Sequence, residues 1–357
     1  MIKKKLYKIC GITACIVAAA VLIILPPSRG RLPEPKTPNG LSERVELEVD
    51  GDSLGLFIIS ENVNNPVLIV CGGGPGIPQY LLEYFNQSPI PSVFTVCYWD
   101  YRGTGGSYDP GINPSDMTTE RYLRDTQAVT DYLRARFSQD KIYIMGHSFG
   151  TYIAAKTVQE HPEKYAAYIA MSQIVDQVES ENIAFDYMKE EYRKAGNDKM
   201  VSEFEKYRIS ESSDEFDVYC KSGLRDKAMH DLGVGTTRKM DNVITGIFFP
   251  SLRCTAYTQK ERIEIWKGKK QSSEFPVSDD THTFNAFEDI PSMDIPVYFM
   301  VGKYDYTCLS DLQIKYYEEL EAPKKKIYIF ENSAHSPLYE EYDKAKEVLE
   351  EIVEDNK

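Results

Sequence analysis

From residue 41 onward the chain alternates between short apolar runs and longer amphipathic segments. A hairpin is predicted first, around Asp50-Gly51-Asp52. Apolar runs then predict strands at 66–74, 92–100, 141–148 (with its turn), 166–174, 295–305 and 324–335, and helical periodicity predicts helices at 118–137, 309–320 and 338–356. Alternation of this kind predicts an α/β fold, with a mostly parallel sheet and helices on both faces.

Residues 175–290 interrupt this rhythm, because they are charged and largely helix-like. We interpret them as an inserted, mainly helical lid, and we take residues 41–174 and 291–357 as the core. A plain surface subdomain is the alternative interpretation. In either case the insertion should lie where sheet strands end, which is where ligands bind in open α/β sheets.

The N-terminus has a different pattern from the rest of the chain. A basic segment, 1–8, precedes an uncharged run, 9–25, which is near the lower limit of length for a membrane-spanning helix. The basic segment predicts a single-pass anchor in the cell membrane, with the rest of the chain outside the cytoplasm. A cleaved signal segment and secretion are the alternative. Residues 26–40 are rich in proline and are predicted to form an extended tether.

Charge and cysteine content restrict the possible partners. The formal net charge of −14 disfavours nucleic acid as a partner, and only the predicted anchor suggests contact with a membrane. The seven cysteines are scattered without a C-x-x-C pair, and the five histidines lack the spacing of metal ligands. We therefore expect no metal and no cofactor.

The stretch Gly146-His147-Ser148-Phe149-Gly150 matches the pattern G-x-S-x-G. A β-rich run precedes it and a helix-compatible run follows. In this context the pattern predicts a tight strand-to-helix turn that holds the Ser148 hydroxyl outside the fold, at the N-terminus of a helix. The sequence therefore predicts Ser148 as a nucleophile.

Two further residues complete a candidate catalytic triad with Ser148. A serine hydroxyl needs a base within hydrogen-bond reach, and that base needs an orienting carboxylate. Asp305 and His335 each directly follow a predicted strand, so both should lie at the same sheet edge as Ser148. The order Ser, Asp, His along the chain is one of the known triad orders. His147 is expected to pack beside the nucleophile and not to act as the base.

Acyl transfer also needs hydrogen-bond donors for an oxyanion. The N–H of Phe149, directly after the serine, is one candidate, and the loop 71–78 is expected to supply the other. A phosphate-binding loop is the rival interpretation of these glycines, but the Lys-Ser/Thr ending of a P-loop is absent.

With these motifs, the chain resembles the α/β-hydrolase superfamily and, within it, the prolyl aminopeptidase (proline iminopeptidase) group of serine peptidases. The similarity covers roughly 41–174 and 291–357. It is carried by Gly72-Gly73-Gly74-Pro75-Gly76, by Asp100-Tyr101-Arg102-Gly103-Thr104-Gly105-Gly106-Ser107, by the elbow at 146–150 and by Gly302-Lys303-Tyr304-Asp305. The resemblance implies an α/β-hydrolase fold and makes the Gly74 N–H the second oxyanion donor. It also implies structural roles for Asp100 and Arg102.

Two positions depart from the pattern of the group. Gly72 replaces a histidine, and Phe149 stands where many members have tryptophan. In the peptidases, acidic lid residues are expected to hold the amino group of the substrate. The acids of the inserted segment here are Glu179, Glu181, Asp186, Glu190 and Glu191.

Together these features predict a membrane-anchored serine hydrolase that works through an acyl-enzyme. The expected activity is an aminopeptidase that releases N-terminal proline, or a similar residue, from short peptides. A carboxylesterase on the same triad, acting on small esters, is the alternative. A non-catalytic binding protein on a hydrolase scaffold is a further alternative, which the intact triad disfavours.

Overall fold

The computed structural model describes residues 24–209 and 213–357. Eight strands form one sheet in the order β1-β2-β4-β3-β5-β6-β7-β8. The strands are β1 Leu41–Val49, β2 Asp52–Ser60, β3 Val67–Cys71, β4 Thr95–Trp99, β5 Ile142–His147, β6 Tyr165–Met171, β7 Val297–Gly302 and β8 Lys325–Phe330. The first two strands form the predicted hairpin, and β2 also pairs antiparallel with β4. All other pairs are parallel, which confirms the predicted fold class.

Helices cover the sheet and fill the connections between strands. They are α1 Gln79–Asn86, α2 Ile90–Val93, α3 Thr119–Phe137, α4 Phe149–Glu160, α5 Gln177–Lys194, α6 Asp198–Phe204, α7 Ser213–Cys220, α8 Gly223–Asp231, α9 Phe249–Ser251, α10 Gln259–Ser272, α11 Pro276–Thr283, α12 Ala286–Asp289, α13 Ser310–Glu319, α14 Pro337–Glu340 and α15 Tyr342–Asp355. A π-helical turn spans Ile244–Phe248, and 3-10 turns span Gly105–Ser107, Pro114–Asp116 and Pro162–Lys164.

The sheet has an apolar layer on each face, because successive side chains of a strand point to opposite sides. In β3, Ile69 and Cys71 belong to the layer that includes helices α3 and α4. Leu68 and Val70 belong to the opposite layer, with α1 and α15. Strands buried on both faces are typical of a parallel sheet.

The strand register brings the ends of the central strands to one level. Cys71 at the end of β3 pairs with Gly146, and His147 at the end of β5 pairs with Met171 at the end of β6. The loops that follow these strands therefore leave the sheet side by side, at the edge where the sequence predicts the site.

Between β6 and β7 the chain forms a mainly helical segment with an apolar cluster of its own. The cluster includes Phe185, Phe204, Tyr219 and Met229, all buried. A role for this segment as a lid, and the predicted domain boundaries, remain predictions.

The chain before β1 lies against this inserted segment. The Ser28 hydroxyl donates to the carbonyl oxygen of Thr255, and Arg29 forms an isolated β-bridge with Thr258. The Arg262 guanidinium donates to the carbonyl oxygen of Pro26 over 2.6 Å. These contacts hold the first residues of the predicted tether against the inserted segment.

The prediction of a location in the cell membrane is wrong for the part of the chain that the structure describes. Across 24–209 and 213–357, none of the helices combines the length and the apolar character needed to cross a bilayer. The longest, α3, has 19 residues and carries charges along its exposed face. Residues 9–23 of the predicted anchor lie outside the described residues.

Candidate active site

Ser148 occupies the tight turn between β5 and α4 and is partly exposed. Its backbone has φ 54° and ψ −125°, a conformation that side chains rarely adopt and that is typical of functional strain. The Ser148 N–H donates to the carbonyl oxygen of Met171 over 3.1 Å, which ties the turn to β6. A Cβ at position 150 would overlap the carbonyl oxygen of Cys71, so only glycine allows α4 to approach β3 so closely.

His335 and Asp305 are in direct contact at the ends of β8 and β7. His335 Nδ1 lies 3.0 Å from each carboxylate oxygen of Asp305. Asp305 is fully buried, and Oδ1 accepts the backbone N–H groups of Thr307 and Cys308 at 2.9 and 3.0 Å. These bonds hold the carboxylate in place, so Asp305 can orient the imidazole of His335.

Ser148 lies beside this pair without a hydrogen bond to it among the described residues. Its hydroxyl interacts with the buried thiol of Cys308, whose pKa lies well above its usual value. Burial and the charge of Asp305 raise that pKa, and the contact with Ser148 lowers it. Catalytic hydrogen bonds of this type often tighten only when substrate is bound.

Gly74 and Phe149 carry the two backbone N–H groups that the sequence analysis assigns to an oxyanion hole. Gly74 has a positive φ of 39°, a backbone conformation that glycine adopts readily. Phe149 is the first residue of α4, where N–H groups have no partner within the helix. Neither N–H has an acceptor among the described residues, and their role as oxyanion donors stays a prediction.

His147 connects the elbow to the loops on either side of it. Burial lowers its pKa to about 3, so the ring is neutral at physiological pH. Nε2 lies 2.9 Å from the carbonyl oxygen of His335, and Nδ1 lies 3.1 Å from Gln79 Oε1. Gln79 Oε1 accepts the N–H of Gly73, next to the oxyanion candidate Gly74. His147 packs beside Ser148, as predicted from the sequence.

Asp100 and Arg102 support the loop after β4 through separate contacts. Arg102 forms a two-pronged ion pair with Asp125, at 2.8 and 2.9 Å, and a further ion pair with Asp52. The Asp100 carboxyl accepts the N–H of Gly106 and the hydroxyl of Tyr257. Burial raises the pKa of Asp100 to about 7. Both residues are therefore engaged in holding the fold together.

The inserted segment brings one carboxylate close to this site, and that carboxylate is already paired. Glu181 has a side chain only 3% exposed and forms an ion pair with Arg225 in α8. Gln177 Nε2 joins the pair to the loop that carries Asp305, with bonds of 3.0 Å to Glu181 and to the carbonyl oxygen of Thr307. Sequence periodicity does not indicate this pairing, because 44 residues separate the two partners.

The described residues contain no group of three or more His, Cys, Asp or Glu side chains able to hold a metal ion.

Comparisons with known proteins agree with this geometry. Residues 66–342 match the family model for the alpha/beta hydrolase fold. The chain is 32% identical to the probable aminopeptidase YbaC of Bacillus subtilis over 298 residues, which cover 83% of this chain and 91% of that protein. It is 24% identical to the proline iminopeptidase of Saccharolobus solfataricus over 300 residues, covering 82% of this chain and 86% of the relative.

Among solved structures, the proline iminopeptidase of Mycobacterium smegmatis shares the fold with a TM-score of 0.62. The similarity covers 88% of this chain and 98% of that one, at 13% identity. The family match spans most of the core. The predicted resemblance to prolyl aminopeptidases is confirmed, because the similar proteins include proline iminopeptidases. The chain therefore belongs to the α/β-hydrolase family.

Proposed function

We propose that this protein is a serine hydrolase that releases N-terminal proline, or a similar small residue, from short peptides through an acyl-enzyme on Ser148. The contact between His335 and Asp305, beside a strained and partly exposed serine, is the observation that carries the proposal. The names of the relatives support the choice of an aminopeptidase.

In the first half of the reaction, Ser148 Oγ attacks the scissile carbonyl carbon while His335 Nε2 takes its proton. Asp305, at 3.0 Å from Nδ1, stabilises the resulting imidazolium. The N–H groups of Gly74 and Phe149 bind the oxyanion of the tetrahedral intermediate. The C–N bond then breaks, and His335 returns the proton to the leaving amine.

In the second half, water attacks the acyl-enzyme and its proton passes to His335. The C–O bond to Ser148 breaks, and His335 gives the proton back to Ser148 Oγ. The products are the free amino acid and the shortened peptide.

A carboxylesterase on the same triad is the second candidate function. The ion pair between Glu181 and Arg225 favours it, because the buried carboxylate near the site is already neutralised by a guanidinium. A substrate amino group would have to compete with Arg225 for that carboxylate.

Steady-state assays of the full chain separate the two candidates. The substrates are prolyl p-nitroanilide, its N-acetylated form and p-nitrophenyl acetate. We expect turnover of the free-amino prolyl substrate, no turnover of the N-acetylated one, and loss of turnover in Ser148→Ala. Ser115→Ala is the matched control, because Ser115 is an exposed serine in a 3-10 turn. Turnover of the ester alone would establish the esterase instead.

A further inference from the structure

Gln79, the first residue of α1, is a buried polar side chain that lies against the loop after β3. Its Oε1 accepts the N–H of Gly73 over 3.2 Å, and its Nε2 donates to the hydroxyl of Tyr339 over 3.3 Å. Tyr339 belongs to α14, the short helix that follows His335. A buried amide with hydrogen-bond partners on two separate segments fixes those segments relative to each other.

The contact between Gln79 and His147 is of a different kind. Nδ1 of His147 lies 3.1 Å from Gln79 Oε1. The ring is neutral and its Nε2 donates to the carbonyl oxygen of His335, so Nδ1 carries no proton to donate. The hydrogen bond that Gln79 Oε1 accepts is therefore the one from the N–H of Gly73.

The residue that Gln79 holds, Gly73, lies directly against the proposed nucleophile. A Cβ added at Gly73 would lie 3.2 Å from Ser148 Cβ and 3.3 Å from the carbonyl oxygen of His147. The next N–H along the chain is that of Gly74, the proposed second oxyanion donor, and it belongs to the peptide group that joins Gly73 to Gly74. A change of the backbone at Gly73 would therefore move this donor relative to Ser148.

Gly72, where the chain departs from the prolyl aminopeptidases, also contacts Gln79. A Cβ added at Gly72 would lie 2.9 Å from Gln79 Cβ, which is closer than two such carbon atoms come in proteins. The φ of Gly72 is not positive, so the backbone conformation does not itself require glycine. Gln79 therefore occupies the space that a side chain at position 72 would need.

We propose that Gln79 is a positioning residue that holds the backbone of Gly73, so that the N–H of Gly74 stays in place to bind the oxyanion beside Ser148. This inference rests on the proposed function, because it concerns the transition state of that reaction. Gln79 acts through the loop and does not itself touch the substrate. An oxyanion donor stabilises the transition state and not the bound substrate, so loss of Gln79 should lower kcat and leave the binding of ground-state ligands unchanged.

The test measures turnover of prolyl p-nitroanilide and the inhibition constants of two ligands, with the full chain and its variants. One ligand is the boronic acid analogue of proline: Ser148 Oγ adds to its boron atom, the proton passes to His335, and a boron oxygen of the tetrahedral adduct takes the place of the oxyanion. The other is L-prolinol, which has the amino group of the substrate but no carbonyl group.

We expect Gln79→Met to lower kcat by about 10- to 100-fold and to weaken binding of the boronic acid by a similar factor, while binding of L-prolinol changes less than about twofold. Gln87→Met is the matched control, because Gln87 is an exposed glutamine at the other end of α1, and it should behave as wild type.

A second variant, Gly72→Ala, displaces Gln79 without changing it. It should also lower kcat, and the double variant Gly72→Ala, Gln79→Met should lose no more than Gln79→Met alone, because both changes act on the same contact.

Wild-type kcat in Gln79→Met would overturn the inference and leave the proposed function intact. Equal weakening of the boronic acid and of L-prolinol would also overturn it, since that result indicates a general disturbance of the site. Additive losses in the double variant would show that Gly72 does not act through Gln79, and would overturn it as well. No turnover by the wild type would overturn the proposed function and this inference together.

Discussion

The imidazole Nε2 of His147 lies 2.9 Å from the backbone carbonyl oxygen of His335. A carbonyl oxygen can only accept, so His147 is the donor. The Ser172 hydroxyl donates to the same oxygen over 2.9 Å. The loop that carries the proposed base is thus fixed to the elbow that carries the proposed nucleophile. The two groups that must exchange a proton are held to each other by the residue next to Ser148.

Removal of this donor should lower activity more than stability. We expect His147→Ala to reduce kcat/KM by about 10- to 100-fold, because small displacements of a catalytic group have effects of this size. His147→Gln, which keeps a donor, should recover part of the loss. The control is His161→Ala, which removes a half-buried histidine at the end of α4. Wild-type kcat/KM in His147→Ala would show that the contact does not position His335.

Loss of Arg225 should destabilise the fold, because Glu181 would remain as an unpaired buried charge. We expect Arg225→Met to lower the free energy of unfolding by about 3 kcal/mol, as measured by urea denaturation. The double variant Arg225→Met, Glu181→Gln should recover most of that loss, since neither partner then carries a charge.

Arg193→Met provides the comparison for this experiment, because Arg193 pairs with Glu190 on the exposed face of α5. Exposed pairs contribute less than about 1 kcal/mol. If Arg225→Met and Arg193→Met lower the free energy of unfolding by the same amount, the pair of Glu181 and Arg225 does not behave as a buried ion pair.

Glu83 should make stability depend on pH in the weakly acidic range. It is buried, and burial raises its pKa from 4.5 to about 6, although the hydroxyls of Ser88 and Tyr98 donate to it and lower the pKa. A carboxyl with a higher pKa in the folded state binds its proton more tightly there. The contribution of the Glu83 carboxyl to the free energy of unfolding is therefore complete below pH 4.5, and it is lost as the pH rises through about 6.

We expect Glu83→Gln to reduce the decline in the free energy of unfolding between pH 4.5 and pH 7.5 by about 2 kcal/mol relative to wild type. Exposed Glu34→Gln is the control and should follow the wild-type curve. Parallel curves for wild type and Glu83→Gln would contradict the raised pKa.

Much of the sheet and of the site could be predicted because local patterns determine them. The helix predicted at 118–137 is observed as Thr119–Phe137, and the last strand, predicted at 324–335, as Lys325–Phe330. The carboxyl ends of parallel strands lie at one edge of the sheet. Because Asp305 and His335 each follow an apolar run, the sequence alone predicts that they lie close together. The contact between these two residues follows from that grouping.

Other features depend on contacts that sequence periodicity does not encode. The strand predicted at 92–100 begins only at Thr95, because Ile90–Val93 forms a short helix with a proline in its first turn. Within the inserted segment, the charged faces of the helices give no indication of which acid is buried. The pairing of Glu181 with Arg225 arises from packing between helices that are distant in the sequence.

The central claim is that Ser148 is a nucleophile activated by His335. Labelling of the full chain with a fluorophosphonate, followed by mass spectrometry of the peptides, tests it most directly. We predict one adduct, on the peptide that contains Ser148, no adduct in Ser148→Ala, and labelling slowed by about 100-fold or more in His335→Ala. An adduct on another residue, or equal labelling rates in wild type and His335→Ala, would contradict the claim.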